Sequence, residues 1–368
     1  MAKILNERDV RAIIYATCLM GAGGGGSFES GIMLFENYAK KKKIEVKMIS
    51  IDEMPDDGYA GVVASMGSPA KFKERGPDAD LSVETIAAYE GLKNVSFFMN
   101  RKITGVLAIE YGAVNSFVPM MVAMEKGEPF IDADGCGRAV PALNTLLFDI
   151  NGIATGPTVM ASPKGDALVS YMVDPYDAKG LEAIGRNVCM AFDMCLGIAG
   201  WMSSKEQIRD LLVPDAYTYA LKVGHAMLDA IDKKLDVSNE IGKVVNYREL
   251  WRGKIVKFDE RVERGFDFGY VHFDGIGDYA GKKFKIDYQN ENLVAYEGDK
   301  PILTVPDLIC YLNLDTGLPM ANADVEEGQN VLVCAMPAPE AWFRTSRGCD
   351  CWKPFFENVG YKGDIIRF

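Results

Sequence analysis

Hydrophobic positions near the start of the chain recur at helical spacing. Val10, Ile13, Ile14 and Cys18, with Thr17 among them, share one face of a helix predicted over residues 6–20. Asn6 can cap it, and Glu7 and Asp9 suit its first turn. The run Gly21-Ala22-Gly23-Gly24-Gly25-Gly26-Ser27 follows, then a second helix through about Ala39, closed by the cations Lys40 to Lys43. The period then shortens. Val46 and Met48 alternate with Lys47 in a predicted strand, and Gly61 to Ser65 and Gly105 to Ile109 read as short buried strands. Pro129-Phe130-Ile131 leads into Asp132. Helices are predicted over 82–92, from beyond Asn115 through Lys126, and over 140–150. Strands alternating with helices predict an α/β domain with a largely parallel sheet.

Residues 157–173 carry β-rich segments, and helices are predicted over about 176–195 and 215–233. From about 242 the texture changes. Short β-rich segments at 254–259, 267–274, 283–288, 292–296, 301–304 and 330–335 are separated by Gly, Asp and Asn turns. They predict a second, mainly β domain, a small barrel or sandwich. The division drawn is 1–172 for the α/β domain and 173–368 for the rest, with a helical linker at about 176–235 and a β-rich part at about 242–340.

Composition narrows the function classes. The 368 residues carry 40 Lys+Arg against 52 Asp+Glu, a net charge of −12, with 48% hydrophobic and 25% charged residues. Such a chain is neither disordered nor fibrous. Its acidity argues against nucleic-acid binding, which needs a basic face. The longest charge-free stretch, Ala12 to Phe28, contains five glycines and a serine, so no membrane partner is expected. The first residues lack the apolar core of a signal peptide. A cytoplasmic protein with its eight scattered cysteines reduced is the expectation. A homo-oligomer is expected on general grounds.

Ligands of open α/β sheets bind beyond the carboxyl ends of the strands. Three polar loops leave such ends: Gly67-Ser68-Pro69, Glu110 to Asn115, and Asp132 to Arg138. If the strands are neighbours, Glu110, Asn115, Asp132, Asp134 and Arg138 share one crevice. Crowded carboxylates there raise one another's pKa, which suits acid–base work. The plainer alternative is that Asp132 and Asp134 cap the next helix and Arg138 pairs with them. The glycine run offers N–H groups to an anion at a helix start, or is a helix C-cap and turn. It is neither a Walker loop nor a dinucleotide fingerprint. Cys136, beside Arg138 and a helix start, is a conceivable thiolate nucleophile.

Other chemistry is thin. His225 lies on an apolar helical stretch and reads as a packed residue. His272, between Val271 and Phe273, points to the opposite face and toward solvent. Cys349-Asp350-Cys351 lacks partners for a metal site. No cofactor is expected, although an oxygen-ligand divalent metal on Glu110, Asp132 and Asp134 stays open. The amides of Gln289-Asn290-Glu291-Asn292 match an imide or ureide edge, or form a β-turn. Thr304-Val305-Pro306-Asp307 reads as a turn into a short helix capped by Asp307.

Taken in order, several segments resemble one family. They are Gly21-Ala-Gly-Gly-Gly-Gly26, Glu110-Tyr-Gly-Ala-Val-Asn115-Ser, Asp132-Ala-Asp-Gly-Cys-Gly-Arg-Ala139, Gln289-Asn-Glu-Asn-Leu293, Thr304-Val-Pro-Asp-Leu308 and Pro337-Ala-Pro339. The set resembles the S-methyl thiohydantoin desulfurase-like family over nearly the whole chain. The resemblance implies an N-terminal three-layer α/β domain and a C-terminal part with a β-barrel-like domain. It also implies hydrolysis of an S-methylated thiohydantoin to a hydantoin and methanethiol. Two positions depart from the pattern: Cys136 replaces a usual methionine, and Ser27 a frequent aspartate.

On this reading Asp132 or Asp134 is the base and Arg138 stabilises the anion. Glu110 orients water or acts as acid, and Asn115 and Asn290 pair with the ring edge. Gly23, Gly24, Gly25, Gly26 and Ser27 hold a substrate carboxylate or carbonyl, and Cys136, Gln289 and Glu291 line the substrate. The alternatives are a metal-assisted cyclic-amide hydrolase, a non-catalytic ligand-binding or regulatory subunit of a hydantoinase-type system, and a nucleotide-dependent enzyme using the glycine loop.

Overall fold

A computed structural model describes the chain except Met1, residues 68–71, Lys73, Glu74, Arg264 and Gly265. The first sheet is built from β1 Lys3–Leu5, β2 Val46–Ile49, β3 Gly58–Gly67, β4 Lys102–Ala108, β5 Phe130–Asp134, β6 Thr158–Ala161, β7 Ala167–Ser170, β8 Cys195–Ser204 and β9 Val213–Pro214. Its order is β1-β2-β5-β4-β3-β8-β6-β7, with β9 beside β5. The inner four strands, β2-β5-β4-β3, are mutually parallel. The outer strands are antiparallel to their neighbours.

Six longer helices accompany this sheet: α1 Glu7–Met20, α2 Phe28–Lys41, α3 Ser82–Phe98, α4 Ala113–Lys126, α5 Ala178–Ala191 and α6 Ala216–Lys233. The mixed α/β architecture expected from the alternating pattern is present. α1 starts at the predicted cap: Asn6 Oδ1 accepts the Asp9 N–H, and Asp9 Oδ2 accepts the Asn6 N–H, both at 3.1 Å. Its stripe of Val10, Ile13, Ile14, Thr17 and Cys18 is buried.

The second sheet comprises β10 Arg248–Glu263, β11 Phe266–Gly275, β12 Lys283–Gln289, β13 Glu291–Glu297, β14 Lys300–Thr304, β15 Leu308–Asn313, β16 Pro319–Met320 and β17 Asn330–Met336. It is antiparallel throughout, ordered β14-β13-β12-β11-β10-β17-β15-β16. The path does not close, so the expected barrel-like domain is instead an open sheet. At its β14 end the chain's last residues take up the edge: Thr304 N–H donates to Ile366 O at 3.0 Å, and Ile366 N–H to Thr304 Oγ1 at 2.9 Å.

Three sequence expectations change. The helix over 140–150 reduces to a 3₁₀ turn, Leu143–Thr145, and one α-turn, Leu147–Ile150. The helix predicted to 195 stops at Ala191, because Asp193 and Met194 take left-handed φ of 55° and 60° and turn the chain into β8. The stretch after Thr304 is the strand β15, not a helix. Asp307 instead accepts the N–H of Ala338 at 2.7 Å and of Phe368 at 2.6 Å. β8 lies in the first sheet, so that sheet draws on chain beyond residue 173. One apolar cluster runs from Val10 and Phe117 through Trp342 and Trp352 and takes in Leu293, Cys310 and Leu332 of the second sheet, so the two halves share it, while a second cluster around Trp251, Phe273 and Tyr311 belongs to the second sheet.

Candidate active site between the two sheets

The parallel strands β3, β4 and β5 lie side by side, and the carboxyl ends of β3 and β4 open to one cavity of about 250 Å³. Its walls are Ser65 to Gly67, Ile109 and Glu110, Val140 to Leu143, and the glycine run from Gly23 to Gly26 with Ser27. Asn290, Glu291 and Asn322 close it from the second half of the chain, Asn290 and Asn322 from turns beside the second sheet. Of the five residues expected to share a crevice there, Glu110 and Asn115 line this cavity, whereas Asp132, Asp134 and Arg138 do not; both halves of the chain build it. Ser68 and Pro69 lie outside the described residues.

The glycine run is a joint between the halves. Its carbonyls accept from the second half of the chain: Asn292 N–H to Ala22 O at 2.9 Å and Asn322 N–H to Gly23 O at 2.8 Å. Gly25 O accepts from Val114 N–H at 3.2 Å, at the start of α4. A Cβ on Gly24 would collide with the Glu291 carboxyl, and one on Gly25 with the backbone of Tyr111 and Gly112. Gly25 also has φ of +74°. Gly25→Ala is expected to cost about 2–4 kcal/mol, strain and overpacking together. Denaturant unfolding measures it, and an unchanged midpoint would contradict this packing.

Glu110 follows β4, two residues beyond Ala108, and lines the cavity. Its Oε1 accepts from Asn115 Nδ2 and its Oε2 from Val140 N–H, both at 2.7 Å. Those donors favour the carboxylate. Burial outweighs them and, with the charge of Asp134 adding and Arg138 opposing, pushes the group up to about 8. Glu291 begins β13 and is buried, with no hydrogen-bond partner for Oε2 among the described residues. Burial first, then the charge of Glu110, holds it well above the carboxylate range. Two carboxyls, one from each half and both pushed toward the protonated form, thus belong to residues that line the same small space.

The remaining candidates sit behind the cavity wall. Asp132 Oδ1 accepts the N–H groups of Tyr217 at 2.8 Å and Thr218 at 3.0 Å, so it anchors the start of α6. Asp134 is fully buried. Its Oδ1 accepts from Cys136 N–H and Gly137 N–H, and its Oδ2 from the Tyr217 hydroxyl. Burial lifts it to about 7 despite these donors. Arg138 pairs with neither aspartate. It donates to Ala139 O, Pro306 O and Asp307 O, and its guanidinium lies 4.8 Å from the Trp352 ring centre.

Cys136 is buried, and burial with the charges of Asp134 and Glu110 pushes its thiol up, opposite to the thiolate expected beside Arg138. Its carbonyl accepts from Trp342 Nε1. Gln289 is buried and accepts from Asn358 Nδ2 at 3.0 Å. Asn290 lines the cavity, but its amide bridges Asp267 N–H and Pro141 O. Its φ of 56° makes the tight turn between β12 and β13.

Residues 8–171 match a family described as S-Me-THD-like, N-terminal domain, and residues 176–364 match S-Me-THD-like, C-terminal domain. The chain belongs to the S-Me-THD-like family. A crystal structure of a protein from Chromobacterium violaceum is similar in fold: 24% identity, full coverage of both chains and a TM-score of 0.85. No curated protein matches the chain.

Within this family fold, sequence reading missed Asn322, Glu182 and Arg186, all cavity-lining. Arg186 Nε donates to Glu182 Oε1 at 2.7 Å, and Glu182 Oε2 accepts from Leu143 N–H. Glu182 and Arg186 sit one turn apart on α5, a spacing that reads as an ordinary surface pair. Asn322 follows a two-residue strand and carries no local signal. His225 pairs with Asp9 and His272 is half-buried in β11; neither lines the cavity. Among the described residues, no group of three or more His, Cys, Asp or Glu is placed to hold a metal ion. Glu110, Asp132 and Asp134 face different partners. No helix among them is long and apolar enough to cross a membrane.

Proposed function

We propose that the chain is a hydrolase of a hydantoin-like five-membered ring, converting an S-methyl thiohydantoin to a hydantoin and methanethiol. The family name supports the ring chemistry. The observation that carries the reading is the Glu110–Glu291 pair facing one cavity from opposite halves. A volume of about 250 Å³ suits a ligand smaller than those filling the roughly 300–1,000 Å³ of drug-sized sites.

Glu110, with an N–H on each oxygen, is the member that ionises and serves as base. Glu291, with Oε2 unpartnered, carries the proton and serves as acid. Glu110 takes a proton from water as its oxygen bonds to C2 of the ring. The C2=N electron pair moves to the ring nitrogen, which takes the proton of Glu291. In the second step the new C2–OH becomes C2=O, giving its proton to Glu291, and the C2–S bond breaks. Methanethiolate takes the proton held by Glu110. One hydrogen of water ends on sulfur and the other on Glu291, replacing the proton that Glu291 gave to the ring nitrogen, so both carboxyls return to their starting forms. Asn115 fixes Glu110, and the N–H groups of Gly25 and Gly26, without partners among the described residues, suit the ring carbonyl.

Thiol release from an S-methyl thiohydantoin, with and without chelator, tests this. Enzyme-dependent release that survives chelation is expected; no release at pH 8 would overturn the reading. Because the base must ionise, kcat/KM is expected to rise with pH through a midpoint near 8. A midpoint near 4.5, the ordinary carboxylate value, would remove Glu110 from the role.

A further inference from the structure

Two buried polar atoms on cavity-lining residues have no hydrogen-bond partner among the described residues: Glu291 Oε2 and Asn322 Oδ1. Their residues are 3% and 6% exposed. An unpaired polar atom at that depth is costly unless something else completes it. The amide of Asn322 has its orientation set, because Nδ2 donates to Asn290 O at 2.8 Å. That bond leaves the carbonyl oxygen as the free end. The two groups are neighbours over the glycine run: a Cβ on Gly23 would strike the Asn322 amide, and one on Gly24 the Glu291 carboxyl. With its proton, Glu291 presents a donor; Asn322 presents an acceptor.

We infer that Asn322 and Glu291 together read an H–N–C=N edge, so that the site takes five-membered cyclic isothioureas with an unsubstituted ring N–H. This deepens the proposed function and rests on it. Asn322 Oδ1 accepts the ring N–H, and the Glu291 hydroxyl donates to the imine nitrogen. That nitrogen is the atom that gains a proton when water adds to C2, so the binding contact and the proton donor coincide. Asn322 is a specificity residue here, since a ring lacking N–H leaves its oxygen buried and unpaired.

The test compares an S-methyl thiohydantoin with its N1-methyl and N3-methyl derivatives, each lacking the only ring N–H. Wild type is expected to turn over the parent at least about 10²-fold better in kcat/KM than either derivative. In Asn322→Ala the parent should lose most of that advantage, bringing the three substrates within about threefold of one another, as expected when the reading group is gone. Asn322→Asp keeps an acceptor and is expected to keep the preference, which covers an alanine variant that does not fold. Equal rates for all three rings in wild type would overturn the inference, as would an undiminished preference in Asn322→Ala or a lost one in Asn322→Asp. In those outcomes parent turnover still stands and the hydrolase reading survives. No turnover of the parent by wild type defeats that reading, and this inference with it.

Discussion

Glu110→Gln is expected to lower kcat/KM for thiohydantoin hydrolysis by about 10²–10⁴, the usual range for losing a general base. It is also expected to leave the protein folded and, at alkaline pH, more stable. Glutamine fills the same space between Asn115 and Val140 and cannot be forced to ionise there. The sign follows from linkage. The folded-state value of Glu110 is raised to about 8 from 4.5, so its contribution is fully present below 4.5 and is lost as pH rises through 8. Glu110→Gln has no such loss, and its stability relative to wild type should grow across that window. Urea unfolding at pH 5 and pH 8 measures the difference, and steady-state thiol release measures the rate. A variant that keeps its activity, or whose relative stability falls between those pH values, would sink the assignment.

Arg138→Met should act chiefly on stability. The guanidinium is fully buried, donates to three backbone carbonyls and stacks on Trp352. Pro306 and Asp307 belong to the second half of the chain, so this side chain ties the halves together. Its positive charge also opposes the rise of both Glu110 and Glu291. Leaving a buried carbonyl without its donor typically costs about 1–3 kcal/mol for each group. The residual activity should show its acidic limb displaced upward from about 8. A denaturation midpoint equivalent to wild type would show that the guanidinium does not hold the halves. An unmoved limb would show that its charge does not reach the carboxyls.

These expectations depend on how the candidate residues divided. The loops after β4 and β5 were legible, since apolar strands leading to Glu110 and to Asp132-Ala-Asp134 follow from spacing alone. Which carboxylate faces the cavity was not. Alternation along β5 puts Asp132 and Asp134 on the same face, and that face meets α6, whose start is satisfied by Asp132. Arg138 turned to carbonyls some 170 residues away, a contact no local pattern carries. The glycine run was visible as an anomaly, but its cause lies in Asn322 and Glu291 pressing from the second half of the chain.

Local chemistry was enough for α1, α2, the parallel strands, the β texture after 242 and the ends of strands where a ligand would sit. Each depends on the order of neighbours: a cap, a period, a turn residue. The Glu110–Glu291 pair, the unpaired oxygen of Asn322, and the burial of Asp134, Cys136 and Arg138 came from the fold. A carboxyl becomes an acid or base through the dielectric and the charges around it. Here those surroundings come from residues about 180 positions apart in the chain.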